Sequence, residues 1–130
     1  MSVRRVVPNI GCFDIAASRK FYTDLFGFRV AMDMGWIVTL VSPSNPTAQI
    51  SLANGTESEA SRQSVMTISV EVDDVDQIHQ QAAATGVPIV YPLTNEPWGV
   101  RRFGVIDPNG VTINVMSHRS QSQPEVKEIQ

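Results

Sequence analysis

One interval that occurs twice constrains this chain more than any other feature. Asp14 and Gly27 bracket a stretch in which Ile15, Tyr22, Leu25 and Phe26 fall near one face at helical spacing, and Asp73 and Gly86 bracket a second stretch of the same length. In each, an Asp at the end of a strand-like run offers its carboxylate to the first amides of a helix. A Gly then supplies the left-handed backbone that ends it. Asp73 or its neighbour Asp74 is the second cap, and Pro88 blocks continuation beyond Gly86. Apolar strands follow each helix, so the sequence reads as two tandem βαβββ modules, at about residues 3–54 and 65–118.

Within the first module, residues 3–13 read as a strand interrupted by Pro8, and residues 15–26 as the helix. Strands are expected at 28–34 and 36–41 around a turn at 33–35, then at 48–53 after a loop at 42–47 that contains Pro43 and Pro46. The polar, Ser-containing stretch 54–64 is a linker between modules. The second module has a strand at 65–73, a helix running to Thr85, a strand at 87–91 and a loop at 92–99 with Pro92 and Trp98. The run Asp107-Pro108-Asn109-Gly110 is a type I turn signal joining two strands as a hairpin. Residues 119–130, rich in Ser, Gln and Glu, read as a flexible tail.

At 130 residues the chain fits a single domain able to bury a core, here residues 1–118. Its net charge of -3 gives no support for nucleic-acid binding. A single cysteine, Cys12, excludes an intramolecular disulfide and a multi-cysteine zinc site, which suits a reducing cytoplasm. No apolar run is long enough for membrane insertion or export, so a cytoplasmic protein without a membrane partner is expected.

Strand alternation assigns faces. Ile68, Val70 and Val72 would lie under the second helix, leaving Thr67, Ser69 and Glu71 opposite; Ile50 and Leu52 would lie under the first, leaving Gln49 and Ser51 opposite. Val111, Ile113 and Val115 would turn inward, exposing Thr112, Asn114 and Met116. The polar sets either line a concave, wet or ligand-filled surface or simply face solvent on a half-exposed sheet. Trp36 is either core or the rim of a pocket with Met32 and Met34, and Trp98 is either a ligand contact or a dimer contact. His79 reads as an exposed helix residue, His118 as a plain strand end, Cys12 as a small buried apolar residue and Asp107 as a turn residue.

The segments FDIAASRKFYTDLFGF, VEVDDVD and DPNGVTINV, in that order, resemble the vicinal-oxygen-chelate superfamily, also called the glyoxalase/bleomycin-resistance/dioxygenase family. Phe21-Tyr22 and Leu25-Phe26-Gly27-Phe28 look like its "FY..LGF" signature, and the last segment looks like its "DP.G..IE" ending. The resemblance covers about residues 3–118. It implies an α+β fold in which the tandem βαβββ modules form a U-shaped, mostly antiparallel sheet with the helices on the convex side, often completed by a second chain.

Metal-using members place His, Gln or Glu at one position on each of four strands, and the resemblance puts those positions at Val7, Ser51, Thr67 and Asn114. That set is poor for a divalent cation, so neither a metal nor another cofactor is expected. Trp98-Gly99-Val100-Arg101-Arg102-Phe103 is similar to the "WG..EF" segment of drug-binding members, except that Arg102 stands where an acid is usual. The expectation is therefore a homodimer that binds or sequesters an antibiotic or other aromatic ligand without metal. Its expected contacts are Trp36, Gln49, Ser51, Thr67, Ser69, Trp98, Arg102, Phe103, Asn114 and Met116. The alternative is a glyoxalase- or dioxygenase-like lyase or isomerase with Glu71 as general base, with or without a metal held by residues outside that set.

Overall fold

The computed structural model describes residues 2–55 and 66–119. The linker expected at 54–64 and the tail expected at 119–130 lie almost wholly outside the described residues. Two compact units emerge. Unit 1 takes the first half of the chain together with the turn Asp107–Gly110, and unit 2 takes Thr67–Ile106 and the strand after that turn.

Unit 1 contains β1 (Asn9–Cys12), α1 (Ile15–Phe26), β2 (Arg29–Asp33), β3 (Ile37–Ser42) and β4 (Asn45–Asn54). Its four strands run in the order β1-β4-β3-β2, with β1 and β4 parallel and the other pairs antiparallel. Unit 2 repeats this plan with β5 (Thr67–Glu71), α2 (Val75–Ala84), β6 (Ile89–Asn95), β7 (Val100–Ile106) and β8 (Thr112–His118), in the order β5-β8-β7-β6. The class is α+β, as expected, and each sheet is mixed: one parallel and two antiparallel pairs.

The helix limits follow from their caps. The Asp14 carboxylate accepts from the Ala17 amide at 3.1 Å, and Gly27 sits at φ 75° with its own N–H donating to the Thr23 carbonyl. Asp74, not Asp73, caps α2, accepting from the Gln77 amide at 3.1 Å. Replacing Asp14 or Asp74 by alanine leaves those amides without a side-chain acceptor. Each change is expected to cost about 1 kcal/mol, read as a lowered midpoint in urea with an unchanged slope.

The strands depart from the sequence reading where prolines stand. β1 begins after Pro8, which has no amide to give a ladder, although its carbonyl still accepts from the Ser51 amide at 2.9 Å. β4 starts at Asn45 rather than 48, because Pro46 falls where the β3–β4 register is already interrupted. Likewise β6 runs through Pro92 to Asn95, since β6 is an edge strand and its pairing with β7 skips between Tyr91 and Thr94.

The core follows the alternation. In unit 1, Ile10, Cys12, Val38, Leu40, Ile50 and Leu52 are buried, and α1 contacts β3 and β4. Each of the aliphatic side chains contributes roughly 1.5–3 kcal/mol of transfer free energy. In unit 2, α2 contacts β6, β7 and β8, and Val75, Ala82, Phe103, Val105, Ile113 and Val115 are buried. Burial raises the Cys12 thiol above its ordinary range, so it behaves as the small apolar residue expected.

Unit 1 also buries a polar cluster. Tyr22 donates its hydroxyl to Asp107 Oδ2 at 2.6 Å, Asn109 donates its backbone amide to Asp107 Oδ1 at 2.8 Å, and Asn109 Nδ2 donates to Ser18 Oγ at 3.0 Å. Asp107 is a turn residue, as read, since its carbonyl accepts from the Gly110 amide at 3.1 Å. It is also a buried carboxylate that ties the turn to α1.

Candidate functional site

The polar face of the unit 2 sheet gathers five of the ten expected contact residues. Register places Thr67 beside Thr112, Ser69 beside Asn114 and Glu71 beside Met116. Across the other edge of β8, Gly104 pairs with Asn114 and Arg102 with Met116. Thr67, Ser69, Arg102, Asn114 and Met116 therefore share one face.

A continuous run of polar contacts crosses that face through four elements. Asn114 Nδ2 donates to Ser69 Oγ at 3.2 Å, and Arg102 Nη1 donates to Asn114 Oδ1 at 3.2 Å. Arg102 Nε donates to Glu96 Oε2 at 2.8 Å, and the Tyr91 hydroxyl donates to the same oxygen at 2.7 Å. The guanidinium carbon lies 4.2 Å from the centre of the Tyr91 ring, close enough for cation–π attraction. A Cβ on Gly104 would come within 3.2 Å of the Tyr91 Cβ, so glycine there gives the tyrosine room beside β7.

Glu96 carries the network's negative charge with a side chain only 9% exposed, while Arg102 is 27% exposed. The Tyr91 hydroxyl, followed by the Arg102 guanidinium, holds the Glu96 carboxyl below the usual carboxylate range against the opposing effect of burial. Glu96 and Tyr91 were absent from the residues expected from sequence. Arg102 stands where the drug-binding members usually carry an acid, and it meets one six residues earlier in the chain, Glu96, across the turn between β6 and β7. In that turn the Glu96 amide donates to the Val100 carbonyl at 2.8 Å.

Phe103 requires a correction. It is fully buried, pairs with Val115, and meets the His79 ring edge-on at 5.0 Å. Its side chain thus stands on the helix-covered face, opposite Arg102, because neighbours along a strand point to opposite sides. His79, expected to be an exposed helix residue, is half-buried by the same contact. Trp98 is exposed on the turn between β6 and β7, and Trp36 is exposed at the corresponding turn between β2 and β3, with Met32 and Met34 on the same hairpin. Trp36 is therefore not core.

In unit 1, Ser51 Oγ lies 2.9 Å from Thr39 Oγ1, and Gln49 accepts from Arg5 Nη1 at 2.6 Å while donating to the Pro46 carbonyl at 2.8 Å. Glu71 and His118 meet at the end of the unit 2 face, Oε2 to Nδ1 at 2.8 Å, with both side chains 63% exposed.

Three of the four positions to which the resemblance assigns metal ligands can each be judged on their own chemistry. Val7 is hydrocarbon, the Ser51 hydroxyl is engaged by Thr39, and the Asn114 carbonyl oxygen already receives a cationic donor. Among the described residues, no group of three or more His, Cys, Asp and Glu could hold a metal ion. Among them, too, no helix is long and apolar enough to cross a membrane.

A model of the Glyoxalase/Bleomycin resistance protein/Dioxygenase superfamily matches residues 5–115. No curated protein matches the chain. Among solved structures, a member of that superfamily from Sphaerobacter thermophilus DSM 20745 is 25% identical, with 90% of this chain and 98% of that one covered and a TM-score of 0.71. TnmS3, an antibiotic binding protein from Streptomyces sp. CB03234, is 21% identical over 91% of this chain and 98% of its own, with a TM-score of 0.74. A bleomycin resistance determinant encoded on the transposon Tn5 is 16% identical over 91% and 100%, with a TM-score of 0.70. The last two likenesses concern the fold.

Proposed function

Because the chain belongs to the glyoxalase/bleomycin resistance protein/dioxygenase superfamily, we propose that it binds and sequesters a small aromatic molecule without the aid of a metal ion. The observation that carries this reading is the seat of Arg102. A guanidinium bonded to Asn114 puts positive charge and N–H donors where a metal-using relative needs an oxygen donor, so the face is built to meet a ligand directly. The antibiotic-binding and bleomycin-resistance relatives in fold support the same reading. Trp98, exposed on the turn that follows Glu96, supplies an aromatic platform worth roughly 0.5–1.5 kcal/mol beyond simple burial.

Titration of aromatic antibiotics into wild type and Trp98→Ala tests this. The expected result is saturable binding by wild type, weakened roughly 2- to 10-fold in the variant, by protein that carries no stoichiometric divalent metal after purification without chelators. Equal affinities would remove Trp98 from the site, and stoichiometric zinc, iron or manganese would end the metal-free reading.

A second reading, catalysis by a general base, draws on the Glu71–His118 contact. A carboxylate on Nδ1 fixes the tautomer and leaves Nε2 to take a proton, the arrangement a metal-independent isomerase or lyase uses. Turnover of a bound ligand that disappears in His118→Gln without loss of binding would favour it; unchanged ligand after prolonged incubation would exclude it.

A further inference from the structure

The proposed binding face has a polarity that narrows the chemistry of its ligand. Its two carboxylates are already engaged: Glu96 by Arg102 and Tyr91, and Glu71 by His118. Donors are left over. An arginine has five N–H groups, and here one on Nε goes to Glu96 and one on Nη1 to Asn114. Among the described residues, Nη2 has no protein acceptor. Ser69 accepts from Asn114, which leaves its own hydroxyl hydrogen to give, and the Thr67 and Thr112 hydroxyls lie in the next register pair along the face.

Position reinforces this count. Glu96 is the more deeply buried partner of the pair and Arg102 the more exposed, so the partner more open to a ligand is the one that carries donors, although the pair's net charge is zero. The guanidinium is held from three directions: the Tyr91 ring at 4.2 Å, Glu96 along one edge and Asn114 at another. A fork fixed in this way loses little side-chain freedom on meeting a planar two-oxygen acceptor.

We propose, resting on the binding function above, that Arg102 is a prepositioned carboxylate receptor and that the ligand is a planar aromatic acid rather than an aromatic cation. The carboxylate takes the Nη2 side of the guanidinium with help from the Ser69 hydroxyl. Glu96, Tyr91 and Asn114 act as positioning residues that hold the fork still.

Three probes with one ring system separate the possibilities: 2-naphthoate, 2-naphthamide and 2-naphthylmethylammonium, each titrated calorimetrically into the full chain. Wild type is expected to bind the carboxylate about 10-fold more tightly than the amide, and the ammonium more weakly still. Arg102→Gln is expected to erase the preference for the carboxylate while keeping binding of the amide. Because that variant strands the Glu96 carboxylate, the double variant Arg102→Gln/Glu96→Gln serves as its folded counterpart and should show the same lost preference. Equal affinity for the three probes, preference for the ammonium, or a preference that survives in both variants overturns the assignment of the acid while leaving aromatic binding in place. Failure of all three probes to bind overturns the binding function and the assignment together.

Discussion

Phe103→Ala is expected to lower the unfolding free energy by roughly 3–5 kcal/mol, the range for emptying a phenylalanine site in a packed core. The ring is fully buried, opposite Val115 and edge-on to His79, so its removal leaves a void bounded by β8 and α2. Denaturant titration measures the loss. A change below about 1 kcal/mol, together with weakened ligand binding, would instead return Phe103 to the ligand face. Phe103→Leu keeps much of the volume and should retain both fold and binding, which separates damage to the core from damage to the site.

Tyr22→Phe removes one hydroxyl and is expected to cost about 1.5–3 kcal/mol, because the hydroxyl hydrogen donates to a buried carboxylate. Its companion signature is in alkaline solution. Burial, followed by the neighbouring Asp107, raises the Tyr22 phenol above its ordinary value of 10.0. The unfolded chain releases that proton near pH 10 while the folded chain keeps it, so the folded state binds the extra proton and stability falls as pH rises from there. Below pH 10 the contribution is fully present; above it the loss is about 1.4 kcal/mol per pH unit. In Tyr22→Phe that alkaline slope should shrink by one proton's worth. Equal slopes from pH 9.5 to 11 in the two proteins would show that Tyr22 titrates normally and that the buried bond to Asp107 is absent.

These two residues also mark how far the sequence could be read. Caps are local, so Asp14 and Gly27 placed both ends of α1 to the residue. Prolines misled where tertiary pairing decided: Pro46 and Pro92 looked like loop residues, yet an interrupted register admits both into strands. The Tyr22–Asp107 bond joins positions 85 apart, and no local pattern announces it. At the site, alternation along β8 and β5 correctly grouped Ser69 with Asn114. The resemblance puts Phe103 among the ligand contacts, whereas the same alternation puts it opposite its neighbour Arg102, in the core. Glu96 and Tyr91 were missed because a skipped register on an edge strand and a tight turn bring them to Arg102.

The strand order that recurs in both units has an evolutionary consequence. Thr39 and Ser51 hold in the first unit the ladder places that Gly104 and Asn114 hold in the second, and one step along the same rows Ile37 answers to Arg102. A chain that carries its own architecture in duplicate can let one copy lose its charged groups while the other recruits them. Ile37→Arg would therefore be the natural place to begin if a second receptor of the same kind were to be installed by design.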